Sequence, residues 1–376
     1  MFVWRGFFDL FGVSQLVYFF AVLLVLLNFF EYKRRQKIIR RKTNIGLSLY
    51  IIFGFILVLF SFISKGPILT AMGFVSLYLN LLIWTYSLIP IDERSGYANN
   101  YINIFVASMA INAGVSIYQY FIDPSFFGMV TNMYGDADTM SMENVTRRTV
   151  GLMGSPQSFS ASCGISLFVA SVVKNKWFRL GSVVLILIGG LLSGSRAFGV
   201  FMIFWFLYLF FKLDKSQKAI AIIIIIPVLV YVGIFLYSIF EENETIMRNF
   251  AFDRWAASSI FFSSFKHFEW YDYIFGKGFG LEGWNANTGK LSFDYSSTES
   301  ALLSIVYQTG VINAFLFLIG YITIYFKSLR NSFCRFLMIP MFINLCVTPA
   351  FIGFAYSYLA WGTLLMIQHR SLGSNK

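Results

Sequence analysis

Residues 178–211 read FRLGSVVLILIGGLLSGSRAFGVFMIFWFLYLFF, and beyond the Arg179 at its edge this stretch carries one charge, Arg196. An uncharged run over 180–195 leads into it, and a second over 197–211 leads away. As one helix, 34 residues would extend about 50 Å at 1.5 Å per residue, far beyond a hydrocarbon core of about 30 Å. The stretch must therefore fold back, and Ser193-Gly194-Ser195 is the natural break. Arg196 then falls at the turn. A guanidinium costs about 2.5–3.5 kcal/mol at mid-bilayer even on the lenient insertion scale, so it requires a partner, a water-filled cavity or an anionic ligand.

The rest of the chain has the same character. Of 376 residues, 57% are hydrophobic and 12% charged, and the mean hydropathy is +0.69. These values define an integral membrane protein and leave no soluble domain of ordinary size. The sequence predicts an all-α polytopic membrane protein, one integral domain over 1–376. Its spans fall near 10–30, 45–63, 67–89, 101–122, 155–173, 178–193, 196–211, 219–240, 300–326, 334–348 and 350–367, about 11 transmembrane helices. The last two are divided at Thr348-Pro349, because proline disfavours helix in the residue before it. The run at 10–30 is too long for a signal core and lacks a small-residue cleavage site. Cys163, Cys334 and Cys346 lie in or beside apolar runs without metal or disulfide spacing, so packing is their expected role. No internal repeat is visible, nor the inverted halves of many transporters.

Basic residues set the orientation. The segment 31–42 carries Lys33, Arg34, Arg35, Lys37, Arg40, Arg41 and Lys42, which places it in the cytoplasm. Alternation from there puts 90–100, 174–179, 212–218, 327–335 and the C-terminus on the same side. These inner segments hold 19 of the 29 basic residues and 4 of the 18 acidic ones. The net charge of +11 is thus a topology signal and gives no reason to invoke nucleic acid. Two long polar segments, 123–154 and 241–299, fall on the extracytoplasmic face together with the Arg196 turn.

That face gathers Arg147, Arg148, Arg196, Arg248 and Arg254. The planar fork of arginine suits phosphate better than lysine does. A polyprenyl-diphosphate-linked substrate would hold its phosphates at the outer headgroup level, where these loops meet the spans. The plainer alternative is that each loop arginine snorkels or pairs with a nearby acid such as Asp253 or Glu143. Trp255, Trp270 and Trp284 are suited to stacking on sugar faces. The Gly276-Lys277-Gly278-Phe279-Gly280 segment invites a phosphate-loop reading, but it follows no strand of a βαβ unit. A flexible loop or a close backbone approach to substrate is the better expectation.

Four segments in order resemble the signatures of the O-antigen polymerase and O-antigen ligase superfamily. They are Arg148-Thr149-Val150-Gly151-Leu152-Met153-Gly154-Ser155-Pro156, then Ser193-Gly194-Ser195-Arg196-Ala197. Arg254-Trp255-Ala256-Ala257 with Phe275-Gly276-Lys277-Gly278-Phe279-Gly280 is the third. The fourth is Thr298-Glu299-Ser300-Ala301-Leu302-Leu303, with Gly310 closing the helix start. The resemblance covers about 100–330. It implies a membrane-embedded glycosyltransferase of the bacterial inner membrane that uses a sugar chain on undecaprenyl diphosphate as donor, with no cofactor and no metal. It also implies a chain-length regulator and a flippase as partners. Ligases of the superfamily carry a histidine at the start of the fourth signature. Here that position is Glu299, and the two histidines, His267 and His369, lie elsewhere, which favours a polymerase.

The chemistry fits these residues. Diphosphate is a good leaving group, so positioned positive charge matters more than acid catalysis. Arg196 is the expected catalytic cation. Arg147, Arg148, Arg248, Arg254, Trp255 and Asp294 are expected to bind diphosphate or sugar. Glu299 is the first candidate for the base that takes the acceptor hydroxyl proton, with Asp294 and Asp253 in reserve. An acid at a helix start is also favoured by the helix dipole alone, which is the competing explanation of Glu299. A ligase and an anion or polysaccharide transporter are the alternative functions.

Overall fold

The computed structural model of the chain describes residues 45–65, 74, 94–123, 126, 149–153, 156–218, 265–278, 300–328 and 332–347. The spans expected at 10–30, 219–240 and 350–367, and that at 67–89 apart from Phe74, lie outside the described residues. Among the described residues all regular structure is helical. The helices are α1 (Ile45–Lys65), α2 (Arg94–Phe121), α3 (Pro156–Ala170), α4 (Lys176–Leu192), α5 (Arg196–Lys212), the short α6 (Trp270–Phe275), α7 (Ala301–Ser328) and α8 (Ser332–Val347).

Local chemistry explains where these helices start and stop. Proline occupies the first position of α3, where its missing N–H costs nothing. The Asn175 side chain caps α4 by accepting from the Trp177 and Phe178 N–H groups at 3.0 and 3.1 Å. Between α4 and α5, the turn over 193–195 closes with Gly194 at φ 59°, and α5 opens at Arg196. The long apolar stretch thus folds into two helices at the expected place. Within α8, Pro340 removes an N–H without ending the helix, and the Asn344 side chain donates to the Pro340 carbonyl at 3.0 Å. Membrane helices tolerate such prolines when neighbours satisfy the backbone.

The centre of the bundle is α3, with 13 of its 15 residues buried. It packs against α2, α4, α5 and α8, while α7 packs against α1, α6 and α8. The two groups are joined through α8. Phe333 meets Phe168 and Tyr208 edge-on at 5.9 and 5.5 Å, and the Tyr321 hydroxyl donates to the Met338 carbonyl at 2.7 Å. All three cysteines are free thiols, with Cys163 and Cys334 fully buried in this packing.

The outer surface is apolar, unlike that of a water-soluble bundle, around a mostly apolar core that also holds several polar side chains. Leu59, Phe62 and Ile63 on α1, Ile104 and Phe121 on α2, and Phe315 and Phe326 on α7 face outward, each more than half exposed. Inside lie Asn112, Ser116, Ser162, Ser304, Thr309, Asn313 and Asn344, all fully buried. Water penalises that arrangement, whereas lipid rewards it, because lipid cannot hydrogen-bond polar groups. Among the described residues two helices are long and apolar enough to cross a membrane, Asn100–Phe121 and Ala301–Phe326, with mean hydropathies of 1.4 and 1.9.

Small residues let the helices approach closely. A Cβ at Gly164 on α3 would collide with the Phe201 ring of α5. Gly164→Leu should therefore lower stability by about 1–3 kcal/mol through overpacking. Gly181→Leu, where nothing lies within 4 Å of the added Cβ, should leave it unchanged. Thermal unfolding of the detergent-solubilised chain measures both.

Candidate functional site

Helix directions gather the described parts of the four segments, residues 149–153, 193–197, 275–278 and 300–303, towards one end of the bundle. The C-terminal turns of α3 and α5 meet the first turn of α8 through Phe168, Tyr208 and Phe333. The last turns of α7 pack on α8, where the Tyr321 hydroxyl donates to the Met338 carbonyl, so α7 ends where α8 begins. It follows that α3, α5 and α7 all begin at the far end, where α2 and α4 finish. Segments 149–153 and 193–196 and the start of α7 share that end.

Segment 149–153 is held there by one face of α2. The Gly151 N–H donates to Gln119 Oε1 at 3.0 Å, and Gln119 Nε2 donates back to the Gly151 carbonyl at 3.1 Å. The Leu152 N–H donates to Asn112 Oδ1 at 2.6 Å. Gly151 has φ 54°, and a Cβ there would strike the Asn112 side chain, so both conformation and space call for glycine. The Ser116 hydroxyl donates to the Gly189 carbonyl of α4 at 3.4 Å and lies 2.5 Å from Thr149 Oγ1. Either hydroxyl of the Ser116–Thr149 pair can donate to the other.

The same contacts bring the first signature against the second. The Thr149 N–H donates to the Leu192 carbonyl at 3.3 Å, one residue before the Ser193-Gly194-Ser195 turn. Within that turn the Ser193 hydroxyl donates to the Gly190 carbonyl at 2.5 Å, and the Ser195 N–H donates to Ser193 Oγ at 3.4 Å. Ser195 is the N-cap of α5 but makes no side-chain cap. Arg196 is the first residue of α5; its backbone is described and its side chain lies outside the described atoms. A cation at a helix N-terminus opposes the dipole by about 0.3–1 kcal/mol, a cost that a bound anion reverses.

Signatures three and four are joined in a different way. Gly310 has φ 81° and ψ 167°, so α7 kinks there and cannot continue its regular hydrogen-bond ladder. Gly310 falls inside α7, within the span expected at 300–326, and the kink there ends the helix's first segment. The Tyr307 and Gln308 carbonyls of the preceding turn accept from the Lys277 and Gly278 N–H groups at 2.8 and 3.1 Å. A Cβ at Gly310 would collide with the Ile274 carbonyl. Segment 276–278 is therefore a backbone plug in the α7 kink: the Lys277 and Gly278 N–H groups point at α7, while the Gly276 N–H closes α6 on the Asp272 carbonyl at 2.7 Å. Lys277 Nζ pairs with the buried Asp272 carboxylate and lies 5.3 Å from the Phe268 ring centre. Asp272 Oδ2 also accepts the Glu269 N–H at 2.9 Å. A phosphate loop would present both the amides and the lysine to a ligand; this segment commits them internally.

Of the candidate residues, Arg147, Arg148, Arg248, Arg254, Trp255, Asp294 and Glu299, with the reserve Asp253, lie outside the described residues, as does Trp284. Trp270 opens α6, is 71% exposed and packs edge-on against Tyr271 at 5.9 Å. The described flanks nevertheless bound the candidates: Thr149 follows Arg148, and Ser300 follows Glu299. Two cavities, of about 370 and 460 Å³, open at the opposite end. No family model matches the chain, and no curated protein matches it.

The sequence reading passed over Asn112, Ser116 and Gln119, the residues that position the first signature. Their spacing of four and three puts them on one face of α2, a polar stripe inside an apolar span. Ser116→Ala leaves Thr149 short of its partner, and Thr149→Val does the reverse, each costing about 1–3 kcal/mol. The double variant should cost less than the sum by about 0.5–1.5 kcal/mol, as read from a thermal-unfolding cycle.

Proposed function

We propose that the chain is a surface-polysaccharide polymerase of the O-antigen polymerase and ligase superfamily. In this reading it is a single integral domain of about 11 spans in a bacterial inner membrane, with its long loops extracytoplasmic and its C-terminus cytoplasmic. A growing chain leaves its undecaprenyl diphosphate and joins the terminal sugar of a new lipid-linked repeat unit. The glycosidic bond forms as the anomeric carbon–phosphate bond breaks. The diphosphate departs with the electron pair, and the acceptor proton passes to a base.

The observation that carries this reading is the gathering of the signature segments. Residues 149–153 are clasped against the 192–195 turn, and 276–278 is locked into α7 a few residues below Ser300, at one end of an apolar-coated bundle. Arg196, at the first position of α5, supplies the charge that meets the departing diphosphate, and the positive end of the helix adds to it. Glu299, one residue before Ser300, is the base. Arg147, Arg148, Arg248 and Arg254 complete the diphosphate clamp, with Trp255 and Asp294 on the sugars. The polar chemistry concentrated at one end suits a reaction at an interface better than passage across it.

Lipopolysaccharide from cells lacking the gene tests the assignment by gel. Loss of the ladder with a single repeat unit still on the core identifies a polymerase. Sugar-free core with long lipid-linked chains accumulating in the membrane identifies a ligase, and an unchanged ladder removes both. In complemented cells, Arg196→Ala should abolish long chains at normal protein level; normal chain lengths would sink the clamp.

A further inference from the structure

At the end of the bundle opposite the signature segments, the last turn of α5 and the first turn of α8 bound a cavity of about 460 Å³. Phe211, Phe336 and Ile339 line it with apolar surface, and Lys212, Ser332 and Arg335 supply its polar groups. The Phe211 and Phe336 rings lie 5.6 Å apart. Lys212 Nζ sits 4.5 Å from the centre of the Tyr208 ring, which holds the ammonium beside the cleft. Arg335 Nε is buried and makes no hydrogen bond. Among the described residues neither cation is in an ion pair. The neighbouring acid, Asp214, accepts from neither, and its own N–H donates to Gln217 Oε1 at 3.2 Å.

This arrangement has an unmet requirement. Two positive charges beside an apolar cleft leave a guanidinium N–H desolvated and without an acceptor, which is costly unless an anion enters. An inorganic anion would satisfy the charges and leave the aromatic cleft empty. An amphiphile whose phosphate meets Lys212 and Arg335 while its chain lies along Phe211, Phe336 and Ile339 satisfies both. The start of α8 adds its positive dipole end at the same place. Basic pockets between spans on the cytoplasmic side are suited to anionic headgroups, and basic residues place this end in the cytoplasm.

We propose that this cavity is a binding site for an anionic phospholipid of the cytoplasmic leaflet, its phosphate held by Lys212 and Arg335. The inference rests on the membrane-embedded part of the proposed function and is independent of its sugar chemistry. It provides a lipid that ties α5, whose other end carries Arg196, to α8.

Native mass spectrometry of the purified full chain, titrated with phosphatidylglycerol or phosphatidylcholine, tests it. The wild type should retain phosphatidylglycerol in preference, and Lys212→Gln and Arg335→Gln should each weaken retention roughly fivefold. Ile339→Trp fills the cleft with both charges intact and should also reduce retention, which separates occupancy from folding. Lys174→Gln with Lys176→Gln removes two charges from the same end outside the cavity and should have no effect. Equal retention of the two lipids, full retention in the Lys212 and Arg335 variants, or an equal loss in the Lys174 and Lys176 control would overturn the proposal. So would complete displacement of the lipid by inorganic phosphate, which would mark a plain anion site. Because the readout is lipid retention, an unchanged polysaccharide ladder would remove the polymerase reading and leave this one standing.

Discussion

A chain coated in lipid has no water to satisfy a backbone group left open by a break in a helix, so each break must be answered from within the fold. Among the described residues three irregularities interrupt the regular helical ladder. At Ser193-Gly194-Ser195 the turn is closed by the Ser193 hydroxyl and by backbone bonds to Gly189 and Leu191. At Gly310 the carbonyls of the preceding turn are taken by the amides of Lys277 and Gly278. Pro340 is the mildest, and the helix runs through it. The first two lie towards the end that gathers the signature segments. Backbone irregularity in a membrane bundle is tolerated where it is buried or lines a cavity, so this end is where the fold has accepted the cost of irregular chain.

The same constraint explains the polar interior. Asn112, Ser116 and Gln119 would be a liability on the lipid face, yet inside they fix a loop to about one hydrogen-bond length. Such side-chain-to-backbone bonds are worth more in a low-dielectric interior, and they are specific in direction. A loop clasped in this way holds Thr149 and Gly151 beside the α4–α5 turn. Asp272 and Lys277 act in the same manner on the second loop: their pairing folds the chain after α6 so that its amides face the α7 kink. Charge inside this loop thus serves loop geometry.

The sequence was a good guide wherever hydrophobic length decided the matter. The break of the 178–211 stretch and the starts of α3 and α7 were readable from span length and turn residues. The position of Gly310 inside a span was legible but the kink was not, because a glycine among apolar residues looks the same in a straight helix and in a kinked one. The role of Lys277 was likewise hidden. Nothing in Gly-Lys-Gly says whether the amides face a ligand or the carbonyls of a distant helix. The polar stripe on α2 was present in the sequence at helical spacing, but its meaning depends on which loop lies opposite.

Composition, span length and the distribution of Lys and Arg by themselves determined that this is a helical chain built for a membrane, and roughly where it turns. Those are local quantities, fixed by the cost of placing each residue in hydrocarbon or at its edge. Only the tertiary structure decided that residues 149–153 sit against the 192–195 turn, that 276–278 plugs α7 at Gly310, and that Lys212 and Arg335 share one apolar cavity. Each of those joins residues more than 25 positions apart in the chain. Such contacts depend on which helix faces pack together, and that choice is made by shape and hydrogen-bond complementarity in the folded bundle.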